Sequence, residues 1–383
     1  MKKFISIILS AVMLLSICSF GFAAEDAALR FDDDGNFRIL QITDIQDGPL
    51  LLNPTKNFIT DVLEETDPDL VILTGDNVSG GACWSDSVGR IAIGRFMSIF
   101  EKYGVPVAAV FGNHDSEGAM TKEEMMAVYE SYDCFVGCAG EDLTGCGNYN
   151  LPIMSSDGKK VAYNIWCIDS LTYNEKDPEK NDPGYYENDL GGYGCVHKDQ
   201  IDWYVKTSDE LKAANGGKPV NSMMFQHIVV PEIYNVLLKD GDEYKLPEGA
   251  KGELNEQPCP PHYNNGQFDA LVNQGDVVAM FFGHDHKNTF EVSYKGVDLV
   301  NTPGVGFSSY GDHNRGARVI DIKESDTSTY TTEIITWLEF YDAENNAAAM
   351  NEFILNGNEF STAEKIEAFF GYIFAKIAGI FSF

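Results

Sequence analysis

Five short polar motifs, each closing an apolar run, concentrate the reactive side chains of this sequence. They are Thr43-Asp44-Ile45-Gln46, Gly75-Asp76-Asn77, Gly112-Asn113-His114-Asp115, Gln226-His227 and Gly283-His284-Asp285-His286. Together they offer carboxylate, amide-oxygen and imidazole donors, a set suited to zinc, iron, manganese or magnesium. An Asp alone at a strand end serves equally well as a cap for the next turn. Two of them in successive units, each beside other ligand types, point to metal. A shared carboxylate lowers the repulsion between two close cations, so one of Asp44 and Asp76 is expected to bridge a metal pair of the kind used by two-metal hydrolases. Asn113 adds a neutral oxygen. His227, His284 and His286 add nitrogens, and the His-x-His spacing after a glycine lets each ring serve a different metal. His114 follows a ligand and is expected to face the site without binding metal. There it would protonate a leaving oxygen or steady a charged phosphoryl group, with Asp115 orienting its ring.

The runs before the motifs are short and rich in Val, Ile, Leu, Met and Phe, and read as buried strands: Phe37–Ile42, Leu70–Leu73, Val105–Phe111, Val220–Phe225 and Val277–Phe282. Ligands bind outside the carboxyl ends of strands in open α/β sheets, so one polar site built from distant segments is expected. Between the strands the sequence predicts a helix with Asn53 as cap and Pro54 at its first position, a second over Ser87–Tyr103, and a third opened by Thr121 and Glu124 at capping-box spacing. Later short strands (Asn148–Ile153, Val161–Ile168, Phe290–Tyr294, Val297–Asn301 and Ala317–Ile322) suggest a second sheet. The expected fold class is α/β, a four-layer α/β/β/α sandwich of two mixed sheets. Tyr173–Gly194 and Lys239–Gly266 read as long loops, candidates for lids or specificity walls.

The order of motifs resembles the calcineurin-like metallophosphoesterases, whose pattern runs DxH, GDxx, GNH[D/E], H, GHxH. More closely it resembles their small purple-acid-phosphatase-like branch, a likeness that includes Gly147-Asn148-Tyr149-Asn150-Leu151-Pro152, Gly266-Gln267-Phe268 and Arg315-Gly316-Ala317-Arg318. The resemblance runs from about Phe37 to Ile322. It implies two metal ions, one held by Asp44, Asp76 and His286, the other by Asp76, Asn113, His227 and His284, with a bridging hydroxide that attacks phosphorus in line. Two departures stand out. Gln46 occupies the place of the family's first histidine, where its carbonyl oxygen is a poorer ligand for zinc or iron than imidazole and favours manganese or magnesium. Ser79 stands where purple acid phosphatases carry their tyrosinate, so no purple colour is expected.

The chain has 383 residues and a formal net charge of -32. That charge argues against a nucleic-acid surface or an anionic membrane as the main partner. Residues 1–24 read as a signal peptide: Lys2 and Lys3, an apolar stretch, then Gly21-Phe22-Ala23 as a cleavage site, which implies a secreted or extracytoplasmic protein. Residues 25–340 form the expected phosphoesterase domain. Residues 341–383 form an extension whose apolar stripe (Ile366, Phe369, Phe370, Ile373, Phe374, Ile377, Ile380) would dock on the domain, a partner or a membrane. No Gly-x-Ser-x-Gly elbow supports a serine hydrolase. The expected function is a secreted metal-dependent phosphoesterase, chiefly a phosphomonoesterase, with phosphodiesterase or nucleotidase activity left open because the same centre serves all three, acting on a small phosphate ester or a phosphoprotein. The alternative is a lapsed relative serving as a binding or adhesion module, and Gln46 is the feature that favours it.

Overall fold

The structure, a computed structural model, describes residues 29–173 and 192–340. The segment expected to be a signal peptide, most of the Tyr173–Gly194 loop and the C-terminal extension lie outside them. Among the described residues the strands are β1 (Asn36–Ile42), β2 (Leu70–Thr74), β3 (Val107–Val110), β4 (Tyr149–Met154), β5 (Val161–Cys167), β6 (Ser222–Phe225), β7 (Leu238–Asp240), β8 (Glu243–Lys245), β9 (Val277–Phe282), β10 (Glu291–Tyr294), β11 (Val297–Asn301), β12 (Gly316–Lys323) and β13 (Asp326–Thr336). The main helices are α1 (Asn53–Thr66), α2 (Asp86–Tyr103), α3 (Lys122–Tyr129), α4 (Lys198–Ala214) and α5 (Gln267–Gln274).

One sheet has the order β13-β12-β1-β2-β3 and the other β10-β11-β9-β6-β5-β4. Within the first, β1, β2 and β3 run parallel. Within the second, β5, β6, β9 and β11 do. Three apolar layers account for the stacking. Phe37, Ile39, Leu70, Ile72 and Ile320 meet Ile165, Met223, Phe225, Ala279 and Phe281 between the sheets. Helices α1, α2 and α3 cover the outer face of the first sheet through Phe58, Val62, Ile93, Phe96 and Met126. Helices α4 and α5 cover the second through Trp203, Tyr204, Phe268 and Leu271. This is the four-layer α/β/β/α sandwich that the alternation of strand and helix patterns predicts, with one correction: Ala317–Ile322, expected in the second sheet, forms β12 of the first, because it pairs antiparallel with β1.

Local signals explain most boundaries. The Thr121–Glu124 capping box forms as expected, with each side chain bonding the other's backbone. Ser85 caps α2, and Gly104 ends it in the left-handed conformation. Helix α1 starts one residue earlier than predicted. Leu52 is its cap, and Asp47 Oδ2 accepts the Leu52 amide at 3.0 Å, so that carboxylate secures the entry to the helix. Helix α4 and the long strand β13 were not anticipated. The Lys239–Gly266 loop holds the β7–β8 hairpin at its start. Cys83, Cys134, Cys146, Cys167 and Cys259 are free thiols.

The inter-sheet layer should be the structure's main thermodynamic tie. Phe281 is fully buried and stacks on Phe225 at 5.0 Å. Phe281→Ala is expected to destabilise the chain by about 3–5 kcal/mol in urea unfolding, the range for deleting a buried aromatic ring. A loss under about 1 kcal/mol would show that the sheets are held together elsewhere.

Candidate metal centre

The carboxyl ends of both parallel strand sets face the same region, and every motif residue lies there. Asp44 and Gln46 follow β1, Asp76 follows β2, Asn113–Asp115 follow β3, His227 follows β6, and His284 and His286 follow β9. The loops are cross-linked by backbone bonds: Asp44 N–H to Gly75 O (3.0 Å), Gln46 N–H to Asp76 O (2.9 Å) and Gly283 N–H to His227 O (3.1 Å). Asp44, Gln46, Asp76 and His284 all adopt positive φ (53°, 41°, 49° and 70°), a left-handed backbone that non-glycine residues adopt at a cost. Four such residues at one site show that the surrounding structure dictates where these side chains go. The glycines beside them have a steric reason. A Cβ at Gly112 would collide with Asp76 Oδ1, and one at Gly283 would collide with Thr43 Oγ1.

The ligand atoms gather in two triads, Asp44–Asp76–His286 and Asp76–His227–His284. Within each, all donor atoms lie within 4.8 Å of one another, and Asp76 belongs to both. Asp44 Oδ1 sits 3.2 Å from His286 Nε2, and Asp76 Oδ2 sits 3.2 Å from His227 Nε2. The remaining carboxylate oxygens are taken by the protein. Asp44 Oδ2 accepts Thr43 Oγ1–H (2.8 Å) and His284 N–H (3.0 Å), and Asp76 Oδ1 accepts His114 N–H (2.7 Å). Two imidazoles are aimed by carbonyls. His227 Nδ1 lies 2.8 Å from Thr74 O and His286 Nδ1 lies 2.9 Å from Tyr310 O, so each presents Nε2 to the centre. Tyr310 stacks flat on His286 at 4.1 Å, and Tyr193 meets His284 edge-on at 4.3 Å. Beyond the 3.2 Å carboxylate–imidazole contacts Asp44 Oδ1 and His227 Nε2 make no well-formed hydrogen bond, and the buried Asn113 Oδ1 makes none. Buried polar atoms left unbonded are expensive, and a cation held by the triads would give Asp44 Oδ1 and His227 Nε2 a partner.

The electrostatics agree. Burial works against charge on His227, but Asp76 and Asp44 outweigh it and raise its pKa to about 10. Burial likewise opposes ionisation of Asp44 and Asp76, yet the neighbouring histidines hold both below the usual carboxylate range. Burial and the nearby His227 charge lower His284 to about 3, which keeps its ring neutral and able to ligate. In the bare chain protons supply the positive charge that the carboxylates need, and metal binding would release them.

Two expectations need correction. Gln46 was expected to offer its carbonyl oxygen to a metal. Instead its Nε2 donates to Asp76 Oδ2 at 2.9 Å, because an amide that faces an anion presents its NH2. A half-turn about its last side-chain bond would present the oxygen to a cation. Asp115 was expected to orient His114. Its two oxygens instead accept Val78 N–H (3.0 Å) and Gly112 N–H (2.7 Å), fastening the Asn113 loop to the Asp76 loop. Burial, then the charge of Asp76, raises Asp115 to about 7. The ring of His114 is held by Glu117, whose Oε2 lies 2.8 Å from Nδ1. Glu117 Oε1 accepts Tyr173 O–H (2.9 Å), and that hydroxyl accepts Asn113 Nδ2–H at 3.3 Å. Sequence reading missed Glu117, Tyr173 and Tyr193. Their signal was available: Glu117 is one 3₁₀-like turn beyond His114, and the two tyrosines frame the neck of the long loop, bridged to each other.

The calcineurin-like phosphoesterase family profile matches residues 37–288, well over half of the chain, and the chain belongs to that family. It is 29% identical to a protein of Arabidopsis thaliana named "Probable inactive purple acid phosphatase 14", covering 82% of this chain and 81% of that one. It is 27% identical to "Phosphatase DCR2" of Saccharomyces cerevisiae, over 68% of this chain and 46% of that one. The crystal structure of a dimetal phosphatase from Danio rerio shares the fold, with a TM-score of 0.50, 12% identity, and coverage of 79% of this chain and 99% of that one.

Gln46 is the residue whose exchange reports most directly on occupancy. Gln46→His should raise bound metal per chain, read by elemental analysis after dialysis against limiting zinc or manganese. Unchanged metal content would remove position 46 from the centre.

Proposed function

We propose that the chain is an exported dinuclear metallophosphoesterase acting chiefly on phosphate monoesters. The observation that carries this reading is the pair of buried triads sharing Asp76. The residues fit two ions: each triad combines carboxylate and imidazole, and the unpartnered atoms are ligand atoms. Bound there, two divalent ions would polarise a phosphate ester and activate water for in-line attack. The chain's own residues would do the rest. Asn113 would supply a neutral oxygen on the His227 side. The His114 side chain is 41% exposed and its Nδ1 is held by Glu117, which leaves Nε2 as the nitrogen that would meet a bound ester. From there it would donate a hydrogen bond or a proton to the leaving oxygen. Export rests on the signal-like residues 1–24.

Two observations favour a second reading, a lapsed enzyme that keeps the fold for binding. Gln46 replaces a ligating imidazole, and the Arabidopsis relative carries "inactive" in its name. Against it stands the intact remainder of the site, including the donor pair His284 and His286.

The deciding experiment loads the purified protein with manganese, zinc or iron and follows thermal melting and hydrolysis of an aryl phosphate. Metal should raise the melting temperature, since a ligand bound only by the folded chain stabilises it, and turnover should appear. His284→Ala should cut kcat/KM by about 10³-fold or more while the metal-free protein stays folded, the scale on which removing transition-state charge stabilisation acts. A metal-induced rise in melting temperature without turnover under any metal would establish the lapsed reading. Near-normal turnover in His284→Ala would remove the centre from the chemistry.

A further inference from the structure

The backbone of Asn113 is pinned on both sides, but its amide could still face either way. The Gly112 amide donates to Asp115 Oδ2 (2.7 Å) and the His114 amide to Asp76 Oδ1 (2.7 Å), so Asn113 is held directly beside the carboxylate that both triads share. Its side chain is buried, and Oδ1 has no hydrogen-bond partner. Turned over, the amide would place its NH2 there instead, a group that donates and cannot ligate a cation.

The other end of the amide meets Tyr173. The tyrosine hydroxyl lies 3.3 Å from Asn113 Nδ2 and 2.9 Å from Glu117 Oε1. A hydroxyl has one proton to give, and an ionised carboxylate can only accept. The proton therefore goes to Glu117, and the oxygen turns a lone pair to Asn113, where it matches an N–H and rejects a carbonyl. The Tyr173 ring is itself well placed. Leu171 N–H donates to Asp169 Oδ1 (2.9 Å), Lys122 binds Asp169 (2.7 Å), and Gly194 N–H donates to Thr172 O (3.2 Å). The ring stacks on Tyr193 at 5.7 Å, and Tyr193 meets His284 edge-on at 4.3 Å. Tyr173 thus reaches Asn113 by its hydroxyl and His284 by its ring, through Tyr193.

We infer that Tyr173 is a positioning residue of the metal centre, whose hydroxyl orients the Asn113 amide so that Oδ1 is presented as a ligand. The inference rests on the dinuclear reading, in which Asn113 supplies a neutral oxygen, and adds the residue that makes this end of the amide the one on offer. Tyr173 acts through Asn113. Partners of this kind fix the orientation of metal ligands, and their loss weakens metal binding without removing any ligand.

The test measures manganese binding to the purified protein by calorimetry, with no substrate present. Tyr173→Phe removes one oxygen and keeps the ring on Tyr193. It should weaken binding at one site by about tenfold or more, while the melting curve of the metal-free protein stays that of the parent. Asn113→Asp makes both ends of the ligand side chain oxygen, so its orientation ceases to matter. In that background Tyr173→Phe should change the affinity by less than about threefold, because the two residues no longer act as a pair. Equal affinity in the parent and in Tyr173→Phe would overturn the inference. So would an equal loss with and without Asn113→Asp, which is what a merely structural role predicts. A parent protein that binds no manganese, zinc or iron would instead remove the dinuclear reading, and this inference with it.

Discussion

Two carboxylates buried side by side set the terms for the rest of this structure. Asp44 and Asp76 are essentially inaccessible to water, and each places one oxygen in the same small volume. Buried charges of like sign are tolerated only with positive charge between them. Everything around them supplies it or holds its place. Three histidines from two strand ends converge on them, the His114 amide occupies Asp76 Oδ1, and the His284 amide and the Thr43 hydroxyl share Asp44 Oδ2. Left-handed backbone at four of the site residues is the conformational cost of aiming side chains from a strand end back across the sheet edge.

That cost is met by the rigidity of the two sheets. Gln41 lies one residue before the end of β1, fully buried, and ties the sheets together. Its Nε2 donates to Thr74 Oγ1 (2.9 Å) and to Phe282 O (3.1 Å), and its Oε1 accepts Thr302 Oγ1–H (2.6 Å). Thr302 in turn accepts from Arg318 Nε at 3.1 Å. One side chain thus connects the strands that carry Asp44, Asp76 and His284. A fully satisfied buried network of this kind fixes register and relative placement more than it adds raw stability. The apolar layer holds the sheets at contact distance, and the Gln41 network sets how they align.

Most of this was legible in the sequence because strand period, apolar runs and end motifs all said the same thing. The five strands that carry the site fall within a residue or two of the boundaries drawn from composition, and the α/β/β/α layering follows from their alternation with helices. What could not be read were partnerships between residues close to the site but on different elements. Asp115 looked like the natural partner for its neighbour His114, yet a backbone amide three residues back and another from the Asp76 loop claim both of its oxygens. Glu117, one turn on, reaches the ring instead. Gln46 could be located but not oriented, since which end of an amide faces inward depends on the charge it meets. A polar residue in an apolar strand, such as Gln41, was a visible signal without a readable partner.

The distribution of cations bears on how such a site would hold an anion at all. The chain is strongly acidic, and several of its basic side chains are held by protein groups. Lys122 is bound to Asp169 at 2.7 Å, and Arg318 to Glu291 at 3.1 Å. Arg315 is buried over the Phe307 ring. A phosphate ester approaching such a centre would meet an unfavourable long-range field and would find compensation at short range, from ions if the triads hold them and from His114. Such a design discriminates by requirement: a ligand without a group that binds metal gains nothing near the centre, and a ligand with excess negative charge is repelled on the way. The same reasoning makes a weakened first metal site consequential. With so little fixed positive charge in reserve, losing one ion at the Gln46 side would remove a large share of what the pocket offers a phosphate. That is why position 46, more than any other residue here, separates a working hydrolase from a lapsed one.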